Sequence, residues 1–157
     1  MPQANYQTAR AYDRIFSVQF SVFLSNRVGQ LKEMLDLFAR EAVRVLGISI
    51  VDSTDWAVIR VLFDDPTKAR QILRNRSLPF TESEVLLAEL TGPDSLASIC
   101  AHLLSAEINV HFAYPLMIRR GENPVMVFHV DDHVLAVQAL SRHGFTLLTD
   151  QDLADLQ

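Results

Sequence analysis

The chain has 157 residues, of which 49% are hydrophobic and 21% charged, with a formal net charge of −5 and one cysteine. That length holds one ordinary domain or two very small ones. The acidic balance and scattered basic residues argue against a nucleic-acid binder, which shows a basic patch or stripe. No apolar run approaches the roughly 20 residues of a membrane span, and the single Cys100 excludes an internal disulfide framework. The opening MPQANYQTARAYDR lacks the apolar core of a secretory signal, which makes the cytoplasm the expected location. So apolar a composition implies surface covered by a partner, most simply a second copy of the chain, so a homodimer is expected.

In chain order, IFSVQFSVFL alternates Phe16, Val18, Phe20, Val22 and Leu24 against mostly polar neighbours and predicts a half-buried strand. Leu31, Leu35 and Phe38, with Met34 beside them, have helical spacing. VRVLGISIVDS and WAVIRVLF predict two strands joined by a turn at Ser53–Asp55. DPTKARQILRNR predicts a helix opened by Asp65 as N-cap and Pro66 at its first position. A short strand at Leu78–Thr81 or a little beyond follows. The remainder predicts strand 84–90, helix 94–106, strands 108–118 and 124–130 around a turn bracketed by Gly121 and Pro124, helix 132–143 and strand 145–149.

The chain repeats itself. FDDPTKARQIL from Phe63 matches VDDHVLAVQAL from Val130, 67 residues later, with Asp-Asp, Ala, Gln and Leu in register. QFSVFLSNRVGQL from Gln19 falls on EVLLAELTGPDSL from Glu84, 65 residues later. Two units are expected, 15–82 and 83–157, preceded by an arm at 1–14. Each reads β-α-β-β-α-β, an α+β ferredoxin-like unit whose antiparallel sheet carries both helices on one face. The other face and the sheet edges then need cover, and two units can supply it edge to edge or face to face.

Asn26-Arg27-Val28-Gly29-Gln30-Leu31, followed by Ala42-Val43 opening the next strand, resembles the signature of the ACT domain family of small-molecule-sensing regulatory modules. The matching stretch of the second unit is Thr91-Gly92-Pro93-Asp94-Ser95-Leu96, followed by Glu107-Ile108-Asn109-Val110. The resemblance covers nearly the whole chain, twice. It implies a tandem protein that binds an amino acid or related small metabolite between two modules and regulates assembly or a metabolic enzyme, with no chemistry of its own. It places the ligand between the loop after the first strand of one module and the second strand of its neighbour. The expected ligand-binding set is Asn26, Arg27, Val28, Gly29, Gln30 and Leu31 in the loop, with Ile108, Asn109, Val110, His111 and Tyr114 on the strand. Asn26 and Asn109 are the intact polar pair, and Thr91 and Arg44 stand at the corresponding positions of the other pairing. One good site per interface is expected, within the chain or between two chains.

The loop's own chemistry bears on this. A helix N-terminus offers unpaired N–H groups and partial positive charge, suited to a carboxylate. Asp94 is expected to supply that anion itself, whereas Gly29 leaves the backbone bare, so that Gly29→Asp closes the site without harming the fold. The plainer alternatives are that Gly29 serves a tight turn, that Asn26 only caps the helix, and that Asn109 faces solvent. His129, Asp131, Asp132 and His133 look like metal-ligand material. The first unit repeats the two Asp without the His, so they read as a strand-to-helix turn with one Asp capping. Cys100 is expected to pack on a face with Leu96, Ile99 and Leu103. No nucleophile-elbow or phosphate-loop pattern occurs, so no catalytic residue, cofactor or metal is expected. The competing reading is an interaction subunit of a metabolic enzyme whose ligand site is vestigial.

Overall fold

A computed structural model describes residues 15–25 and 27–156. The first half runs β1 (Ser17–Ser25), α1 (Gln30–Arg40), β2 (Val45–Asp52), β3 (Trp56–Phe63), α2 (Pro66–Asn75) and β4 (Phe80–Glu89). The second half runs α3 (Ser95–Ser105), β5 (Val110–Arg120), β6 (Asn123–Val130), α4 (His133–Arg142), β7 (Leu147–Leu148) and α5 (Asp150–Asp155). The strands lie in the order β2-β3-β1-β4-β6-β5, with β7 also on β4, and every pairing is antiparallel. The α+β, ferredoxin-like pattern therefore occurs twice. The expected arm at 1–14 lies outside the described residues.

The two strands expected at Leu78–Thr81 and 84–90 are one. β4 pairs with β1 from Phe80 to Val85 and with β6 from Leu86 to Glu89. Its polar run Thr81–Glu84 mimics a loop in the sequence. In the structure Glu82 takes the Arg70 guanidinium of α2, with Nε to Oε1 at 2.9 Å, so the polar run sits on a continuous ladder.

Each helix pair covers its own half. Phe20, Val22, Ile59, Val61 and Phe63 meet Met34 and Phe38 of α1 and Ala69, Ile72 and Leu73 of α2. Leu86, Ala88, Phe128 and Val130 meet Ile99 and Leu103 of α3 and Ala136, Val137 and Leu140 of α4. Because side chains alternate along a strand, Leu46, Leu62, Val85, Leu87, Val125 and Val127 point the other way, and with Tyr114 and Leu116 they form a third core. The helix-free faces thus pack on each other, while the halves are also joined edge to edge through β4.

The repeat extends to the caps. Asp65 and Asp132 are N-caps, accepting from Lys68 N at 3.0 Å and Leu135 N at 2.9 Å. Val43 N donates to Phe38 O and Ile108 N to Leu103 O, each across a left-handed residue, Ala42 or Glu107. Two further differences from the expected elements concern helices. Cys100 is exposed, because the buried face of α3 is set by Ile99 and Leu103, one step round the helix. Helix α5 stands beyond the expected last strand. Its signal was the capping box at Thr149-x-x-Asp152, in which Thr149 N donates to the Asp152 carboxylate at 2.8 Å. Leu153 and Leu156 then enter the third core.

Candidate functional site

The loop after β1 ends in Gly29, the N-cap of α1, at φ +88. This is left-handed backbone that a Cβ disfavours by roughly 1 kcal/mol. The turn therefore requires the glycine, and Gly29→Asp is not neutral for the fold. Among the described residues no side chain caps α1, and a Cβ built at Gly29 meets nothing within 4 Å. Val28 is fully exposed, and Arg27 turns back, its Nε donating to Ser25 Oγ at 3.2 Å. Gln30 lines a cavity of about 280 Å³ with Glu33, Met34, Leu37 and Arg76, while Leu31 packs on the first core. Asn26 lies outside the described residues.

Asp94 is likewise the N-cap of its helix, but its side chain makes no capping hydrogen bond. It is not the internal anion expected of it. The neighbouring Ser95 Oγ instead accepts from Gly92 N at 3.0 Å. A groove of about 440 Å³ runs beside this second loop, lined by Leu90, Gly92, Pro93, Leu96 and Asn123 among others.

Just ahead of β5, Asn109 is exposed and its backbone is fixed. Its N–H donates to Asp131 Oδ1 at 3.1 Å, and Asp131 N donates to its carbonyl at 3.2 Å. Arg44 and Asp64 do the same in the first half, at 2.9 and 3.1 Å. The first Asp of each Asp-Asp pair thus anchors the start of a strand and the second caps a helix, as the turn reading required. Ile108 and Val110 pack into the second half's core, while His111 is exposed. Tyr114 is buried in the third core, and its hydroxyl donates to Gln19 Oε1 at 2.6 Å. Burial raises its pKa well above the ordinary phenol value. Among the described residues, no hydrogen bond, ion pair or ring contact joins Arg27–Leu31 to Ile108–Tyr114.

The structure gathers a further group that the sequence pattern does not mark as a unit. The His129 ring lies 5.2 Å from His111, 5.7 Å from His133 and stacked at 4.8 Å on Phe112, centroid to centroid. The Arg60 guanidinium of β3 sits 3.8 Å over Phe112. Burial lowers the pKa of both His129 and His133, and for His129 the neighbouring histidines and Arg60 add to it. Among the described residues no group of three or more His, Cys, Asp or Glu has the arrangement to hold a metal ion, and no helix is long and apolar enough to cross a membrane.

Comparison with known proteins places this architecture. The chain is similar to protein BT0572 from Bacteroides thetaiotaomicron, with a TM-score of 0.82 at 22% identity over 90% of this chain and 98% of that one. It is also similar to the regulatory subunit of aspartate kinase from Thermus thermophilus in its ligand-free form, with a TM-score of 0.57 at 14% identity over 82% and 92%. A putative C-terminal regulatory domain of aspartate kinase from Porphyromonas gingivalis gives 0.51 at 14% identity over 81% and 91%. At these identities the likeness is one of fold. Among curated proteins none matches the sequence. The model of the ACT domain pair family matches residues 15–157, and the chain belongs to that family.

Proposed function

We propose that this protein is a regulatory protein without chemistry of its own. Two ACT modules, 15–82 and 83–157, hold an amino acid or related small metabolite and pass its level to assembly or to a metabolic enzyme. The observation that carries the reading is the open loop at Arg27–Gln30. Its glycine, demanded by the turn, has no side chain of its own to cap the helix N-terminus. A carboxylate suits that end of the helix. The strand expected opposite it supplies Asn109, an exposed amide on a fixed backbone. Because among the described residues no polar or ring contact joins Arg27–Leu31 to that strand, the pairing is proposed between two chains of a homodimer. The exposed Val28, and Trp56 paired across the ladder from Ser25, give the second chain apolar surface beside the loop. Sedimentation is expected to show two chains per particle; a monomer would remove the second chain from this account.

The test is a thermal-shift screen of the common amino acids. Ligand at a hundredfold excess over Kd adds about 2.7 kcal/mol to native stability. One amino acid is expected to raise the unfolding midpoint, and Asn109→Ala, an exposed substitution, is expected to abolish that rise. A rise that survives it moves the site elsewhere. The second reading, an interaction subunit with a vestigial site, has its own support: Ile108, Val110 and Tyr114 are committed to packing. It predicts no rise with any amino acid.

A further inference from the structure

All five histidines of the chain lie in its second half, and three of them meet at the seam with the first. We propose that His111, His129 and His133, facing Arg60, form a proton-sensitive lock that holds the two halves together at neutral pH and loosens on acidification.

The repeat supplies the comparison. The counterparts of His111, His129 and His133 in the first half are Leu46, Leu62 and Pro66. Leu46 and Leu62 are buried in the core between the two sheets. At two of these positions the second half thus carries an imidazole where the first carries a buried leucine. Among the described residues, Nδ1 of His129 and Nδ1 of His133 are buried without a hydrogen-bond partner. The cluster spans the seam. His133 stands edge-on to Phe16, at the start of the described first half, with ring centroids 5.3 Å apart. Phe112, stacked on His129, also carries the Arg60 guanidinium of β3 over its ring.

The charges decide the direction. Facing the cluster are Arg60 from β3, Glu84 from β4, His111 from β5 and Asp132 at the start of α4. Asp131 is turned to the Asn109 amide. Full protonation sets three imidazolium ions and the permanent Arg60 cation against two carboxylates, so positive charge is in excess beside a cation that cannot leave. His129 and His133 hold protons less tightly in the folded chain than the ordinary value of 6.5. The unfolded chain therefore binds more protons in the window below that value. Stability is full above it and falls as the pH drops through the lowered folded values.

The experiment uses the full chain. Ring signals of the histidines are followed by NMR against pH, and backbone hydrogen exchange is measured at about pH 7.5 and about pH 5.5. The expected result is that His129 and His133 titrate below the ordinary histidine value. Exchange at Ser17–Ser21 and Phe112–Tyr114 then rises on acidification more than it does within α1 or α3. His129→Leu, chosen to match the counterpart Leu62, is expected to reduce the acid loss of unfolding midpoint, whereas His143→Gln, at the separate His102–His143 stack, leaves it unchanged. Ordinary titration of both histidines overturns the proposal whether or not the variant folds. An equal acid loss in wild type and His129→Leu also overturns it. So does a midpoint raised by Zn²⁺ at neutral pH and lost in His129→Leu, which would assign the cluster to a metal.

Discussion

Gly47→Val is expected to destabilise the protein by roughly 2–3 kcal/mol, the upper part of the range for overpacking a filled core. Gly47 lies in β2, where the register with β3 shifts between Val45 and Gly47, and its backbone faces the other sheet. A Cβ there would stand 2.7 Å from Leu116 Cδ2, 3.5 Å from Tyr114 Cε2 and 3.8 Å from Leu116 Cα. The Leu116 methyl can rotate away, so a single added carbon is tolerated at about 1 kcal/mol. The two further methyls of valine meet the tyrosine ring and the β5 backbone, which cannot. Urea unfolding of the alanine and valine variants checks this through the midpoint. A valine variant within about 0.5 kcal/mol of wild type, the range of an ordinary surface substitution, would mean that the helix-free faces do not pack as described.

Tyr114→Phe is expected to cost about 1–3 kcal/mol, and for a different reason. The substitution keeps the ring and removes only the hydroxyl that donates to Gln19 Oε1. Gln19 is buried on β1, and its Nε2 makes a longer contact of 3.4 Å with Ser21 Oγ. Without the tyrosine its carbonyl oxygen stays buried and unpaired, and the desolvation cost falls on the folded state alone. Removing both partners is milder than removing one, so Tyr114→Phe with Gln19→Leu is expected to recover part of the loss. The double-mutant cycle then reads out the coupling across the seam. Additive losses would show that the two halves are not coupled through this bond.

The fold was legible because the chain carries its own control. The Asp-Asp pairs at 64–65 and 131–132 mark the same turn twice, and both do the same two tasks in the structure. What stayed hidden is non-local. Gln19 and Tyr114 lie 95 residues apart, and nothing in a strand's alternation names its partner on another sheet. Arg60 reads as an ordinary polar strand residue until Phe112 is set beneath it. Cys100 lies one step round the helix from the buried Ile99, and the apolar neighbours on both sides of it hide that step in the sequence. At the candidate site, the sequence singles out Gly29 and leaves two readings of it, a tight turn and a bare backbone for a ligand. The left-handed backbone at Gly29 shows that the turn demands a glycine. Asp94, expected to fill its own helix end, does not cap it.

Whether a small carboxylate-bearing metabolite sits on the backbone at Arg27–Gln30 is decided by following the backbone amide signals while the amino acid selected in the thermal screen is added. Val28, Gly29, Gln30 and Asn109 are expected to shift together and saturate along one binding curve. Saturable shifts confined to other parts of the chain, with those four unmoved, would contradict the proposed site.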